Sequence, residues 1–151
     1  IMSIQIGDKL PHFTAVKQDG TVFDSNSIQN KPVVIYFYPK DNTPGCTTQA
    51  CSFRDAYQDF QDLGAEVIGV SGDSVSSHQN FQQKHKLPFV LLSDSDRKLR
   101  KLFGVPTALF GLIPGRVTYV FNASGKAIYI FDNMSAKNHI IKALDSIKKS
   151  K

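Results

Sequence analysis

Two cysteines, Cys46 and Cys51, stand five positions apart in the run TPGCTTQAC, and the 151-residue chain holds no others. Two close thiols in an otherwise cysteine-free chain do not make a disulfide scaffold; they point to redox or metal chemistry. What precedes Cys46 narrows the choice. Val33 to Tyr38 is an uncharged run of β-branched and aromatic residues, which predicts a strand buried on both faces. Pro39 stops it, Lys40 to Gly45 is rich in turn residues, and a helical pattern opens at about Cys46 or Thr47. The first N–H groups of a helix lack intrahelical partners and lie at the positive end of its dipole. A thiol there loses its proton more readily, and the thiolate is the nucleophile. The competing reading, a buried and inert cysteine, is the commoner fate of a free thiol. Thr43 argues against inertness: its hydroxyl can both donate and accept beside the thiol, although it also suits a plain loop-capping role.

Pro39, Thr43 and Cys46 match the P-x-x-x-T-x-x-C motif of the peroxiredoxins, the thiol peroxidases. With its second cysteine, TPGCTTQAC resembles the peroxiredoxin Q branch, also called bacterioferritin comigratory protein. The likeness runs through IGDKLPHF, EVIGVSGDS, LPFVLLSD and PGRVTYVFNASG in the family's order. The resemblance implies that Cys46 is the peroxidatic cysteine, whose thiolate takes the terminal peroxide oxygen and becomes a sulfenic acid. It implies that Thr43 holds thiolate and peroxide, and that Pro39 shields the thiol from water besides ending the strand. Arg116, in the block PGRVTYVF, resembles the family's arginine beside the thiolate, which favours the charged thiol and polarises the O–O bond. Gln49 stands where some branches carry a glutamate, so a glutamate-dependent network is not expected here. A thioredoxin or similar dithiol is the implied reductant, peroxide the substrate, and the implied state a monomer without cofactor. A bacterial cytoplasm is the expected location, or a plastid if a transit segment has been removed.

Cys51 reads either as a reduced cysteine in the helix core or as the resolving partner that condenses with the sulfenic acid on Cys46. Its spacing separates the chain from the alternative function, a thiol-disulfide oxidoreductase on the same fold. Cysteines three apart in a helix have Cα atoms roughly 5 Å apart, within disulfide range; five apart they lie roughly 9 Å apart, beyond the limit of about 7 Å. A Cys46–Cys51 disulfide therefore requires the first turns of the helix to unwind around Thr47 to Ala50.

The remainder of the chain must position these groups. A length of 151 residues, 41% apolar and 21% charged, suits a single domain spanning residues 1–151. No apolar run approaches the roughly 20 residues needed to cross a bilayer, and IMSIQIGDKLPHF has no signal-peptide pattern, so no membrane partner is expected. The formal net charge of +5 comes largely from residues 142–151 and from Arg97, Lys98, Arg100 and Lys101. Those four lie in DRKLRKLFG, where Leu99, Leu102 and Phe103 are expected to face the core and the charges the solvent. No nucleic-acid-binding motif accompanies them. His12, His78, His85 and His139 are scattered, and none forms a zinc-ligand pattern with the cysteines.

Phe13 to Val16 and Thr21 to Phe23 flank an Asp-Gly turn and predict an N-terminal β-hairpin. Phe53, Ala56, Tyr57 and Phe60 continue one helix to Gly64. Glu66 to Val70 and Phe89 to Leu92 are strands on either side of a helix over Ser74 to His85, with Ser76 or Ser77 as its N-cap. Phe103 to Gly115 reads as a loop packed on the domain beside the site. Val117 to Phe121 and Ala127 to Phe131 form a second hairpin, and Ile140, Ile141, Leu144 and Ile147 mark a C-terminal amphipathic helix. This β-α-β then β-β-α order matches the thioredoxin-like α/β fold that the resemblance implies: a central mixed sheet flanked by helices, with an N-terminal β-hairpin.

Overall fold

The structure, a computed structural model, describes residues 3–108, 113–134 and 138–150. Its centre is β3 (Val33–Phe37), buried along its whole length. Side chains alternate across a strand, so β3 feeds two cores at once. Val34 and Tyr36, with Tyr38 beyond the strand's end, face one side, packed with Cys46, Ala50, Phe53, Phe60 and Phe81. Val33, Ile35 and Phe37 face the other, packed with Phe13, Leu99, Phe103 and Tyr119.

Parallel to β3 runs β4 (Glu66–Ser71), and parallel to β4 runs β5 (Val90–Ser93). On its other edge β3 pairs antiparallel with β8 (Val117–Phe121), which forms a hairpin with β9 (Ala127–Asp132). The expected N-terminal hairpin is β1 (Thr14–Lys17) and β2 (Val22–Asp24), joined to the sheet through β5. The seven strands follow the order β2-β1-β5-β4-β3-β8-β9, the mixed sheet of a thioredoxin-like fold. One glycine matters to its centre. A Cβ on Gly69, opposite Tyr36, would lie 2.9 Å from both the Tyr36 ring and Leu91, so only glycine leaves room for that ring.

Helix α1 (Pro44–Asp55) starts two residues earlier than the periodicity suggested, with Pro44 in the first turn, where a missing N–H costs nothing. The single helix expected to reach Gly64 breaks at Ala56, whose backbone (φ −94°, ψ 3°) leaves the helical region, and resumes as α2 (Tyr57–Asp62). Helix α3 (Val75–His85) is capped by Ser74, not by Ser76 or Ser77: the Ser74 hydroxyl accepts from the Ser77 N–H at 3.2 Å. In α4 (Lys98–Phe103), Leu99 and Phe103 are buried, one turn apart, while Leu102 lies on the flank and is exposed, against expectation. Arg100 departs from the solvated face as well. Its guanidinium donates to the Tyr38 carbonyl at 3.1 Å and lies over the Phe37 ring. In α5 (His139–Lys149), Ile140, Ala143 and Ile147 make the buried stripe. Ile141, one residue round the helix, is 61% exposed. Of the irregular stretch 103–115, residues 109–112 lie outside the described residues; to either side, β6 (Thr107–Ala108) pairs with β7 (Ile113–Pro114).

Candidate active site

The site forms where β3 ends. Phe37 pairs with Val117, so antiparallel β8 begins beside the loop that leaves β3, and Arg116, the residue before β8, arrives next to α1. Cys46 occupies the third position of α1 and is 1% exposed. Arg116 is buried too, and its Nη2 donates to Cys46 Sγ at 3.3 Å. Gly45 allows that approach: a Cβ there would stand 3.0 Å from Arg116 Nη2. This contact sets the positive guanidinium, together with the positive end of the α1 dipole, against the sulfur.

Arg116 is held at each of its nitrogens. Nε donates to the Met134 carbonyl at 2.9 Å, and Nη1 donates to Gln49 Oε1 at 2.5 Å. The place that a glutamate takes in some branches is thus occupied by a neutral amide that keeps the hydrogen bond but not the charge. Gln49 is wholly buried, three residues after Cys46 on the same face of α1. Because its oxygen is taken by Arg116, the amide orientation is set by the network.

Behind Arg116 sits a group that sequence reasoning did not single out. His139 is buried; its Nε2 lies 2.8 Å from the Asn133 carbonyl and its Nδ1 lies 2.6 Å from Thr118 Oγ1. A carbonyl only accepts, so Nε2 carries the hydrogen, and the Thr118 hydroxyl donates to Nδ1. Burial drives the His139 pKa down from 6.5 to about 4, with the Arg116 charge acting in the same direction. Asn133 in turn donates its N–H to the Arg116 carbonyl at 3.2 Å. No sequence signal joins these residues; only the β8–β9–α5 packing does.

Thr43 is the N-cap residue of α1, but its side chain does not cap the helix. Its hydroxyl donates to the Lys40 carbonyl at 2.8 Å, which leaves the oxygen lone pairs free to accept. Pro39 follows Tyr38 directly after β3, half-buried, and ends the strand as expected. Cys51 is half-buried and both thiols are free. The two cysteines lie within one unbroken helix, so the separation derived from helical spacing holds here. Arg116 and Cys46 meet at the start of α1, Thr43 is the N-cap residue of that helix, Pro39 lies four residues before Thr43 in the preceding loop, and Cys51 lies further along α1.

A model of the AhpC/TSA family matches residues 6–130. The chloroplastic peroxiredoxin Q of Oryza sativa subsp. japonica is 50% identical over 145 residues, which cover 93% of this chain and 67% of the rice protein. Among solved structures, a peroxiredoxin Q variant from Xylella fastidiosa superimposes with a TM-score of 0.91 at 31% identity, covering 99% of each chain. A Xanthomonas campestris bacterioferritin comigratory protein, studied for alkyl peroxide reduction, has a TM-score of 0.84 at 31% identity over 91% of each chain.

Proposed function

Since this chain belongs to the AhpC/TSA family, and within it to the peroxiredoxin Q group, and is therefore a thiol peroxidase, we propose that Cys46 is its peroxidatic cysteine and Cys51 the thiol that resolves it. The observation that carries the reading is the Arg116 guanidinium 3.3 Å from a buried Sγ in the first turn of α1. The Cys46 thiolate attacks the terminal oxygen of the peroxide. The O–O bond breaks, the sulfur keeps the terminal OH as a sulfenic acid, and the leaving alkoxide or hydroxide takes a proton from solvent water to depart as alcohol or water. Arg116 and the backbone N–H groups at the start of α1 oppose the negative charge that develops on the peroxide oxygens. The Thr43 hydroxyl, whose own hydrogen goes to the Lys40 carbonyl, accepts a hydrogen bond from the peroxide O–H. Pro39 keeps solvent from the thiolate's strand side.

In the second half-reaction the Cys51 sulfur attacks Cys46 Sγ, the S–O bond breaks, and water leaves. A dithiol reductant of the thioredoxin type then returns both cysteines to thiols by exchange, with thioredoxin itself the reductant proposed. Alkyl hydroperoxides are included among the substrates on the strength of the work on the Xanthomonas protein. The enzyme is proposed to act as a monomer of one domain. Its proposed location is a bacterial cytoplasm or a plastid stroma, since the plant relatives are chloroplastic and the solved relatives bacterial.

Peroxide consumption, with dithiothreitol or thioredoxin as the reductant, tests the reading. The peroxidase consumes peroxide in a Cys46-dependent way and leaves insulin disulfides intact. Insulin reduction without peroxide consumption would place the chain among dithiol oxidoreductases instead.

A further inference from the structure

The loop between β3 and α1 contains one buried carboxylate, Asp41, which the chemistry above does not use. Three donors converge on it. Tyr38 Oη donates to Oδ1 at 2.6 Å; Ser77 Oγ at 2.9 Å and His78 Nδ1 at 2.7 Å reach Oδ2. Ser77 and His78 belong to the first turn of α3, so the carboxylate also faces the positive end of that helix. The Asp41 N–H donates to Asp73 Oδ2 at 2.8 Å, an oxygen that also accepts from Ser71 Oγ at 2.6 Å. His78 is wholly buried, and its Nε2 donates to the Leu92 carbonyl at 2.9 Å. The Asp41 side chain thus ties the loop to Tyr38, just after β3, and to α3, its N–H ties it to the turn after β4, and His78 carries the tie on to β5.

Buried charge is costly unless it is well bonded, and this tie sits five residues before Cys46. Between the two, Asn42 adopts a left-handed backbone (φ 62°), uncommon for a residue with a side chain. The direction in which Thr43, Gly45 and Cys46 point is therefore set by what holds Asp41. Asp41, Asp73 and His78 also bring two oxygens and a nitrogen within 4.8 Å of one another. Each of those atoms already has a hydrogen-bond partner, which a cation would have to displace.

We propose that Asp41 and His78 are positioning residues for the peroxide reaction, a buried tie from α3 that holds the first turn of α1 in the geometry where Cys46 meets Arg116. The inference rests on Cys46 being the peroxidatic thiol.

The test compares two electrophiles on Cys46 in a Cys51→Ser background, where one thiol remains. Asp41→Ala removes the tie and should lower the rate with hydrogen peroxide by about 10- to 100-fold, as small misplacements of reacting groups do. Alkylation by iodoacetamide needs only access, and should rise as the buried thiol loosens. Asp41→Asn should recover most of the peroxide rate, because its oxygen still accepts from Tyr38 and its NH2 can donate to Ser77 Oγ and to Nδ1 of a His78 tautomer that carries its hydrogen on Nε2. An unchanged peroxide rate in Asp41→Ala, a parallel fall with both electrophiles, or an Asp41→Asn as slow as Asp41→Ala would each overturn the proposal. Should circular dichroism show Asp41→Ala unfolded, Ser77→Ala, which removes one donor, should shift the two rates in the same directions by about 2- to 5-fold, and no shift would overturn it. If the Cys51→Ser parent itself forms no sulfenic acid on Cys46, it is the assignment of the peroxidatic thiol that has failed.

Discussion

Lowering the pH from 7.5 to 4.5 should remove about 2.5 kcal/mol of folding stability through His139 alone. The folded protein keeps this buried imidazole neutral down to about pH 4, whereas the unfolded chain takes up the proton near the ordinary value of 6.5. Between those values the unfolded state binds more protons. The stabilisation is therefore full above pH 6.5, declines as the pH falls through the window, and is gone below about 4. The cause is visible in the structure. A proton on Nδ1 would place a second cation in a site without solvent, behind Arg116, where the ring stands edge-on to Phe131 and already donates to the Asn133 carbonyl. Other groups titrate over the same range, so the assay is a difference. Urea unfolding of the wild type and of His139→Gln, at several values between pH 7.5 and 4.5, isolates the histidine. The stability advantage of the wild type should shrink by about 2.5 kcal/mol across the range. An advantage that stays constant with pH would refute the argument that the fold holds this ring neutral.

Arg116→Met should lower the peroxide rate by about 100- to 1000-fold at neutral pH; an unchanged rate would remove Arg116 from the reaction. Tyr36 carries a buried hydroxyl without a hydrogen-bond partner among the described residues, so Tyr36→Phe should stabilise the fold by about 1 kcal/mol; a lower urea midpoint would contradict this. Amides from Thr47 to about Phe53 should exchange with deuterium much faster in the disulfide form than in the reduced form, because the two cysteines cannot bond within an intact α1. A Cys46–Cys51 disulfide on an unbroken helix would refute that reading.

The parts of the site legible in the sequence are those set by local chemistry. Val33 to Tyr38 carries apolar residues at both parities, so its burial on two faces could be read directly, and the turn-rich Lys40 to Gly45 marked a helix start near Cys46, two residues later than α1 begins. Arg116 was legible only through the resemblance of PGRVTYVF, since nothing local distinguishes it from a solvated arginine. Periodicity overreached where short helices show a narrow face. Leu102 and Ile141 each neighbour a buried residue but lie about 100° round from it, toward solvent. Gln49 with Arg116, Asp41 with His78, and Thr118 with His139 stayed hidden for a different reason. Each pair joins residues 21 to 67 positions apart, and the histidines looked scattered because the contacts that give them meaning arise only when the sheet brings β3, β5 and β8 into order.

The most direct test of the account is the mass of the protein after one equivalent of hydrogen peroxide, for the wild type and for each cysteine variant. The wild type should become lighter by two hydrogens, with Cys46 and Cys51 in one disulfide. Cys51→Ser should react as fast and become heavier by one oxygen, located on Cys46, while Cys46→Ser should remain unchanged. Oxidation of Cys51 in the Cys46→Ser variant at the wild-type rate, or a Cys51→Ser variant with no fast reaction, would contradict the division of labour between the two thiols.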